Sequence, residues 1–314
     1  MNVRSLLLSL PLASAALWIG SPAGAQSYSK GQPVYAAYEG WEQNPDGSYK
    51  FLFGYMNSNW EEEFDVPIGP DNNVSPGNAD QGQPTHFFPR RNRFVFWVTV
   101  PKDFGNKELV WTLTTHGKTS KAYATLRQDY MLDNMILTSE TGAIGAGVSN
   151  PEIRANKPPS LEAAGDRNRT VKIGEALLLS AHVTDDGVPK PRPRGAFQDR
   201  GRMEGIKDLR MIPPIQVTVG SATGLWTACY LFRSSVPSAK SKVHFDPPQP
   251  KTWEDTRAGG NSQWSPLWEA PKAPPDGKWN VKVTFDEPGT YVLRWHATDG
   301  ALWADEDITV TVTP

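Results

Sequence analysis

The sequence predicts an all-β protein built from two β-sandwich domains. Three observations carry this. Helical periodicity is hard to find after the first two dozen residues. Short runs rich in Val, Thr, Tyr, Phe and Trp recur instead, cut by Gly, Pro, Asn and Asp. The 28 prolines and 27 glycines of the 314 residues are spread along the chain, as the turns of a β protein require.

The N-terminus reads as an export signal. Arg4 supplies a positive start, and Ser5 to Ile19 is mostly apolar. Ala23 and Ala25 then provide the small residues that a signal peptidase needs, so residues 1–25 form a cleaved signal peptide and Gln26 opens the mature chain. The alternative is a membrane anchor, but the run is short and Pro11, Gly20 and Pro22 interrupt it. No cysteine follows it, which argues against a lipoprotein, and the mature chain holds no other apolar segment of membrane-spanning length. The expected location is periplasmic or extracellular.

Lys and Arg total 32 against 34 Asp and Glu, a net charge of −2. That balance gives no reason to expect nucleic acid as a partner. Cys229 is the single cysteine, so the fold must rest on packing and not on an internal disulfide. It sits in an apolar run, Trp226 to Phe232, and reads as a buried inert thiol.

The first domain spans residues 32–133. Val34 to Trp41 is a strand, Asn44 to Gly47 a turn of the Asp-Gly kind that tolerates positive φ, and Ser48 to Met56 the returning strand. From Trp60 the side chains alternate. Trp60, Phe64, Val66 and Ile68 share one parity, and Glu61, Glu63 and Asp65 the other. This predicts a half-buried strand with a carboxylate-lined wet face; Glu62 falls on the apolar parity and marks an edge or a bulge. A long polar loop from Pro70 to Pro84 follows, then strands over Asn92 to Val100 and Glu108 to Thr115, a turn at His116 and Gly117, and a closing strand over Ser120 to Leu126.

Residues 134–157 read as a linker, glycine-rich over Thr141 to Val148 and stiffened by Pro158 and Pro159 beyond it. The second domain spans 158–314. Its recognisable pieces are the Pro158-Pro159 opening, a Val171-x-x-Gly174-Glu175 turn, the Asp185-Asp186-Gly187 loop, Pro288-Gly289-Thr290-Tyr291 before a central strand, and a terminal strand through Val310 and Val312. In these pieces the chain resembles the PKD and related immunoglobulin-like sandwich modules of secreted bacterial proteins. The resemblance covers the two ends of the region and implies an Ig-like fold; it is almost silent on function, because one sandwich hosts many roles. Two long insertions depart from it: a basic, proline-broken one from Lys190 to Pro214 and a tryptophan-rich one from Pro247 to Pro275. The first domain resembles the N-terminal part of uncharacterised secreted bacterial proteins, which assigns no activity.

Several groups are candidates for chemistry. Neighbours among Glu61, Glu63 and Asp65 would lie about 7 Å apart along a strand, a separation compatible with an inverting glycosidase pair and equally with any acidic strand face. The solvated face is the preferred reading. Asp185, Asp186, Asp299, Asp305 and Asp307 lie in or beside predicted loops and could supply hard oxygen ligands to Ca²⁺; plain turn chemistry is the competing reading. No other cofactor is expected. Asp71, Asn72, Asn73 and His86 are candidate ligand contacts on the polar loop. The five histidines do not cluster, and neither zinc-site spacings nor a Gly-x-Ser-x-Gly elbow occurs. Twelve tryptophans are many. Trp253, Trp264, Trp268, Trp279 and Trp303 are assigned to loops; Trp264 and Trp268 are the pair to inspect as sugar-stacking or interface rings, with packing the expected role for most.

The leading expectation is an exported, non-catalytic binding or adhesion protein that recognises a surface polysaccharide or an envelope protein. A hydrolase of envelope polysaccharide with a site near residues 70–86 is the alternative, and a spacer in a larger assembly the third. Loop tryptophans on one flat surface would favour binding. A cleft bringing Glu63 or Asp65 to His86 and a second acid would favour catalysis.

Overall fold

The computed structural model describes residues 28–145, 147–191, 220–237, 239–257, 259–265 and 268–314. The signal peptide over 1–25, its cleavage point before Gln26, and the basic insertion beyond Pro191 lie outside the described residues.

The chain is all-β with several sheets. In order the elements are β1 (Val34–Gln43), β2 (Tyr49–Asn57), β3 (Phe64–Asp65), β4 (Asn72–Ser75), β5 (His86–Phe87), β6 (Arg90–Val100), β7 (Leu109–Thr115), β8 (Lys118–Ala124), α1 (Asn134–Glu140), α2 (Pro151–Arg154), β9 (Ser160–Ala163), β10 (Asn168–Lys172), β11 (Leu177–Thr184), β12 (Trp226–Ser234), β13 (Val243–Asp246), β14 (Lys278–Phe285), β15 (Gly289–Thr298) and β16 (Trp303–Thr313).

In the N-terminal sandwich the sheet β1-β2-β6 faces the sheet β4-β7-β8. The β1–β2 hairpin closes through the expected turn: Gly47 donates its N–H to the Asn44 carbonyl at 2.9 Å and sits at φ +86°. His116 and Gly117 make the β7–β8 turn with φ of +49° and +69°, which matches the twist of an antiparallel pair. Alternate residues of β2, β6 and β7 bury Phe51, Phe53, Phe96, Trp111 and Leu113 between the sheets. The Phe53 ring stacks on Phe96 at 5.0 Å, and Trp111 meets both edge-on.

The C-terminal sandwich packs the sheet β10-β16-β15-β12 on the sheet β13-β14-β11-β9, with β10 joining β16 in parallel. Cys229 and Leu231 of β12, Leu293, Trp295 and Ala297 of β15, and Ile308, Val310 and Val312 of β16 point inward. Burial pushes the Cys229 thiol far above its usual range, consistent with an inert core thiol. Strand geometry sends the intervening residues outward. The outer face of this sheet therefore carries Trp226, Tyr230 and Phe232, then Arg294, His296 and Thr298, then Trp303, Asp305 and Asp307.

Residues 134–157, read from the sequence as a linker, carry two capped helices among the described residues. Asp133 caps α1 by accepting from the Met135 and Ile136 N–H groups, and Asn150 caps α2, which has Pro151 in its first turn. Leu137 and Ala143 join Leu52, Phe94, Leu132, Ala301 and Leu302 in a core to which both sandwiches contribute. One expectation needs correction: 60–68 is not one alternating strand. Only Phe64 and Asp65 pair in a sheet, with β5; before them the chain bends at Trp60 and Glu61, whose N–H groups bond the Tyr28 and Ser29 carbonyls, and beyond them Pro67 and Gly69–Pro70 interrupt the ladder. Trp60 is half-buried and lies between the guanidinium groups of Arg90 and Arg257, 4.2 and 5.1 Å from the ring centroid. Glu63 and Asp65 turn inward.

Candidate functional site

The two sandwiches meet over a cleft that sequence alone did not disclose. One wall comes from a bulge in β6. The β2–β6 register runs Phe53↔Phe96 and then Tyr55↔Asn92, so Arg93, Phe94 and Val95 are forced out of the ladder. Phe94 holds φ +53°, a costly conformation for a bulky residue and one that persists only where its surroundings fix it. They do so here: its ring stacks on Trp303 at 5.0 Å across the domain boundary. The second wall is the outer face of β12, β15 and β16.

That face is ordered by ion pairs at register positions. Arg294 lies opposite Asp307 and His296 opposite Asp305. Arg294 grips Asp307 with two bonds of 2.7 and 2.9 Å, covers the Phe232 ring at 3.5 Å, and donates to the Val95 carbonyl of the β6 bulge. His296 donates Nδ1–H to Asp305 at 2.6 Å. Burial would raise the Asp305 carboxyl, but the charges of His296 and Arg294 outweigh it and hold the group below the usual carboxylate range.

The tryptophan-rich insertion covers the cleft. Trp253 stacks on Phe88 at 4.7 Å, Trp268 meets Trp226 edge-on at 5.3 Å, and Trp264 lines the interior. Asp255 anchors the insertion: fully buried, it takes bonds from Lys251 and Arg257, whose charges keep it below its ordinary value despite burial. The cleft holds a small cavity of about 70 Å³ that opens to solvent at its mouth. Tyr55, His86 and Arg93 line it from one side, and Trp226, Gln263 and His296 from the other.

His86 sits at the edge of this cleft, only 2 % exposed, with both ring nitrogens engaged. Nδ1 bonds Asp65 at 2.8 Å and Nε2 bonds Glu63 at 3.1 Å. Burial acts against its charge, yet the two carboxylate bonds prevail and raise its pKa. The same acids reach the second sandwich. Asp65 accepts from the Ala239 N–H, and Glu63 pairs with Lys240. The expected wet acidic face is thus an interdomain ion cluster, and Glu61 alone of its three acids is exposed.

The remaining sequence candidates are scattered. Asn72 is fully buried and uses its amide structurally, donating to the Val66 and Pro84 carbonyls and accepting from Trp111. Asn73 donates to Gly69 and Pro70, and Asp71 is exposed. Trp264 and Trp268 are buried rather than displayed on a flat surface, at 9 % and 6 % exposure. Trp279 and Trp303 belong to β14 and β16, not to loops. The five acids proposed for calcium divide into two groups. Asp305 and Asp307 are committed to Arg294 and His296. Asp299 is buried, accepts from the Ala301 and Leu302 N–H groups and from Asn156, and is raised to about 6 by that burial. Asp185 is raised by burial too, and Asp186 accepts from the Val188 N–H. Among the described residues no group of three or more His, Cys, Asp or Glu side chains is placed to hold a metal.

Sequence reasoning missed Trp226, Gln263 and His296 as cleft residues. The alternation of Arg294, His296 and Thr298 against an apolar parity was the available signal.

No family model matches the chain, and no curated protein matches it. Solved structures that align with it include a chimeric titin Z1Z2 carrying an exogenous decorin peptide, at 10 % identity over 89 % of this chain and 97 % of that one, with a TM-score of 0.22. The Yersinia pseudotuberculosis adhesin InvE aligns at 10 % identity over 88 % of this chain and 58 % of that one, TM-score 0.22. The D00-D0 domain of intimin aligns at 9 % identity over 90 % and 100 %, TM-score 0.23. Superpositions this loose carry no argument about function. Among the described residues no helix is long and apolar enough to cross a membrane.

Proposed function

We propose that the protein is an exported binding protein that holds part of a surface polymer or of an envelope protein in the cleft between its sandwiches. One observation carries this reading: the carboxylates around the cleft are already engaged by basic side chains. Asp305 and Asp307 are held by His296 and Arg294, and Glu63 and Asp65 by His86 and Lys240. A glycosidase needs one protonated acid and one free carboxylate facing the scissile bond, and this wall offers neither. What it does offer is aromatic surface and neutral polar groups.

The convergence of Glu63, Asp65 and His86 favours the second reading, a polysaccharide hydrolase. Against it stands the geometry of His86. A general base needs a free nitrogen within reach of the proton it removes, and both nitrogens of His86 are taken.

The test is capture from an envelope fraction of the source organism by the immobilised full chain, with calcium and with chelator, read for glycans and for proteins. Saturable capture without degradation of the captured polymer supports binding. Release of shortened glycan would establish the hydrolase, and capture of nothing would remove the binding reading. Loss on chelation would indicate that calcium contributes.

A further inference from the structure

We infer that the second sandwich binds a calcium ion where it meets the first, between the Asp185 and Asp299 carboxylates and the side-chain oxygen of Asn156. Its occupancy does not depend on what the cleft holds.

Three chain segments converge there. Asp185 and Asp186 stand in the turn that follows β11, and Asp299 stands in the β15–β16 turn. Asn156 and Lys157, between α2 and β9, contact both turns. Asn156 Nδ2 donates to Asp299 Oδ2 at 3.0 Å, and the Lys157 N–H donates to Asp186 Oδ2 at 3.3 Å. The acids also feel one another: the Asp185 charge bears on Asp299, and the Asp186 charge on Asp185.

This cluster lacks a balancing charge. Asp299 is fully buried, and its bonds come from the Ala301 and Leu302 N–H groups and the Asn156 amide. Asp185 Oδ2 takes the Gly187 N–H. All of these donors are neutral, whereas buried carboxylates are ordinarily matched by a cation or a metal. Asp185 Oδ1 and Asn156 Oδ1 are buried and have no partner. Asn156 is 2 % exposed, and its free oxygen shares an amide group with the nitrogen that touches Asp299. Glu39 is the contrast. It too has a buried oxygen without a partner, but Arg91 balances its charge through the other oxygen at 2.6 Å. Turn chemistry accounts for the bonds that Asp185 and Asp299 take from their own loops. It accounts neither for the buried Asn156 side chain nor for the meeting of two acidic turns.

The donor set selects the ion. Both free atoms are acceptors, so the occupant brings positive charge or protons. A water molecule brings protons and leaves the carboxylates repelling each other. The ligands are hard oxygens without nitrogen or sulfur, which suits Ca²⁺ or Mg²⁺ and not Zn²⁺. Carboxylate and amide oxygens from separate segments make an irregular set. Ca²⁺ accepts such a set and completes it with water, whereas Mg²⁺ demands a near-ideal octahedron. The site also sits at the domain junction. The Asn156 carbonyl accepts from Asn134 of α1, and Ala301 and Leu302 pack with Leu52 and Phe94 of the first sandwich. Bound calcium would fasten the second sandwich to the segment that joins it to the first.

The experiment titrates the chelator-treated full chain with calcium chloride at constant ionic strength, by calorimetry and by urea denaturation, with magnesium chloride for comparison. A Kd of about 0.1–1 mM is expected, the range of extracellular calcium modules. Calcium at about 10 mM should then raise the ratio of folded to unfolded protein about 10- to 100-fold, because a bound ligand multiplies it by one plus the ratio of free ligand to Kd. Magnesium should do less than roughly a tenth as much. Asp185→Asn keeps an acceptor for the Gly187 N–H and should weaken calcium binding at least about tenfold, since ligand charge sets the affinity. Asn156→Ser is the second route should that variant fail to fold, which circular dichroism reads. Asp129→Asn, at an exposed acid of the first domain, should keep the parent's response. Absence of binding up to about 10 mM calcium would overturn the site. Equal responses to the two metals, or parental calcium affinity in the folded variant, would overturn it as well. None of these outcomes decides whether the cleft captures an envelope component.

Discussion

His86 Nδ1 lies 2.8 Å from Asp65 Oδ1, and the other oxygen of that carboxylate takes the Ala239 N–H of the second sandwich. One acid thus ties a histidine of the first domain to the backbone of the second. Glu63 does the same on the opposite ring nitrogen, through Lys240. The cluster holds two carboxylates together only while cations stand between them.

His86→Gln should therefore destabilise the fold by about 3 kcal/mol at pH 6, the scale of losing charge-assisted bonds to a buried group. The folded pKa of His86 lies above its unfolded value near 6.5. Its contribution is complete below about pH 6.5 and is lost as pH rises through the folded pKa. Urea midpoints of parent and variant should differ most near pH 6 and converge toward pH 9. A difference that stays flat across this range would show that the ring is not charged in the folded state.

Arg294 should be the most sensitive residue of the interface. It is 5 % exposed, bidentate to Asp307, and bonded to the Val95 carbonyl. Burial disfavours its charge, but the Asp307 bonds prevail and raise its pKa further. Arg294→Leu leaves Asp307 without its partner and Asp305 with His296 alone, and should cost about 3 kcal/mol, the low end of the range for breaking a buried pair because Asp307 is partly exposed. Arg294→Lys keeps the charge without the fork and should cost roughly half as much. Hydrogen exchange in β6 reads the interface directly: faster exchange around Val95 in Arg294→Leu is expected, and protection equal to the parent would show that Arg294 does not pin the bulge.

Trp60 gives a contrasting case. On the alternating-strand reading it is a core residue, yet it lies half-buried between two arginines. Cation–π contacts at such sites contribute about 0.5–1 kcal/mol each. Trp60→Ala should cost about 1 kcal/mol, whereas Trp111→Ala, at a fully buried ring, should cost about 3–5 kcal/mol. Denaturation of the two variants side by side decides it, and equal losses would return Trp60 to the core.

The contrast shows what the sequence could and could not convey. Hairpins are local: Asp46 and Gly47 define a turn, and Phe51, Phe53 and Tyr55 alternate beside it, so strand, turn and inward face follow from adjacent residues. At Trp60 parity misleads because the chain bends there, and the Trp60 and Glu61 N–H groups bond the Tyr28 and Ser29 carbonyls instead of a ladder partner. The cleft was illegible for a different reason. It joins Phe94 to Trp303 and Val95 to Arg294, contacts between residues some two hundred positions apart. The pairing of Arg294 with Asp307 and of His296 with Asp305 depends on the β15–β16 register, which the Asp299–Gly300 turn sets. The parity of those four residues was readable; their meeting was not. The tryptophans of the 247–275 insertion follow no period, so nothing local distinguished a cover from an exposed platform.

That turn supplies the last prediction. Asp299 is fully buried and accepts from the Ala301 and Leu302 N–H groups and from the Asn156 amide, yet burial raises its carboxyl to about 6. The direction is opposite to that of a carboxylate in an ion pair. With a folded value above the unfolded value near 3.9, the folded state binds the proton more tightly. Stability from this group is full below about pH 4 and is lost as pH rises to about 6, by on the order of 2–3 kcal/mol. Asp299→Asn keeps an oxygen for the two backbone N–H groups and has no charge to desolvate; Asn156 can turn its amide to present oxygen to the new NH₂. The variant should match the parent or fall slightly below it at pH 4 and should gain on it between pH 4 and 7. Chemical denaturation at those two values measures the change. A parent that gains on Asp299→Asn over the same interval would mean that the turn stabilises the carboxylate more than burial penalises it.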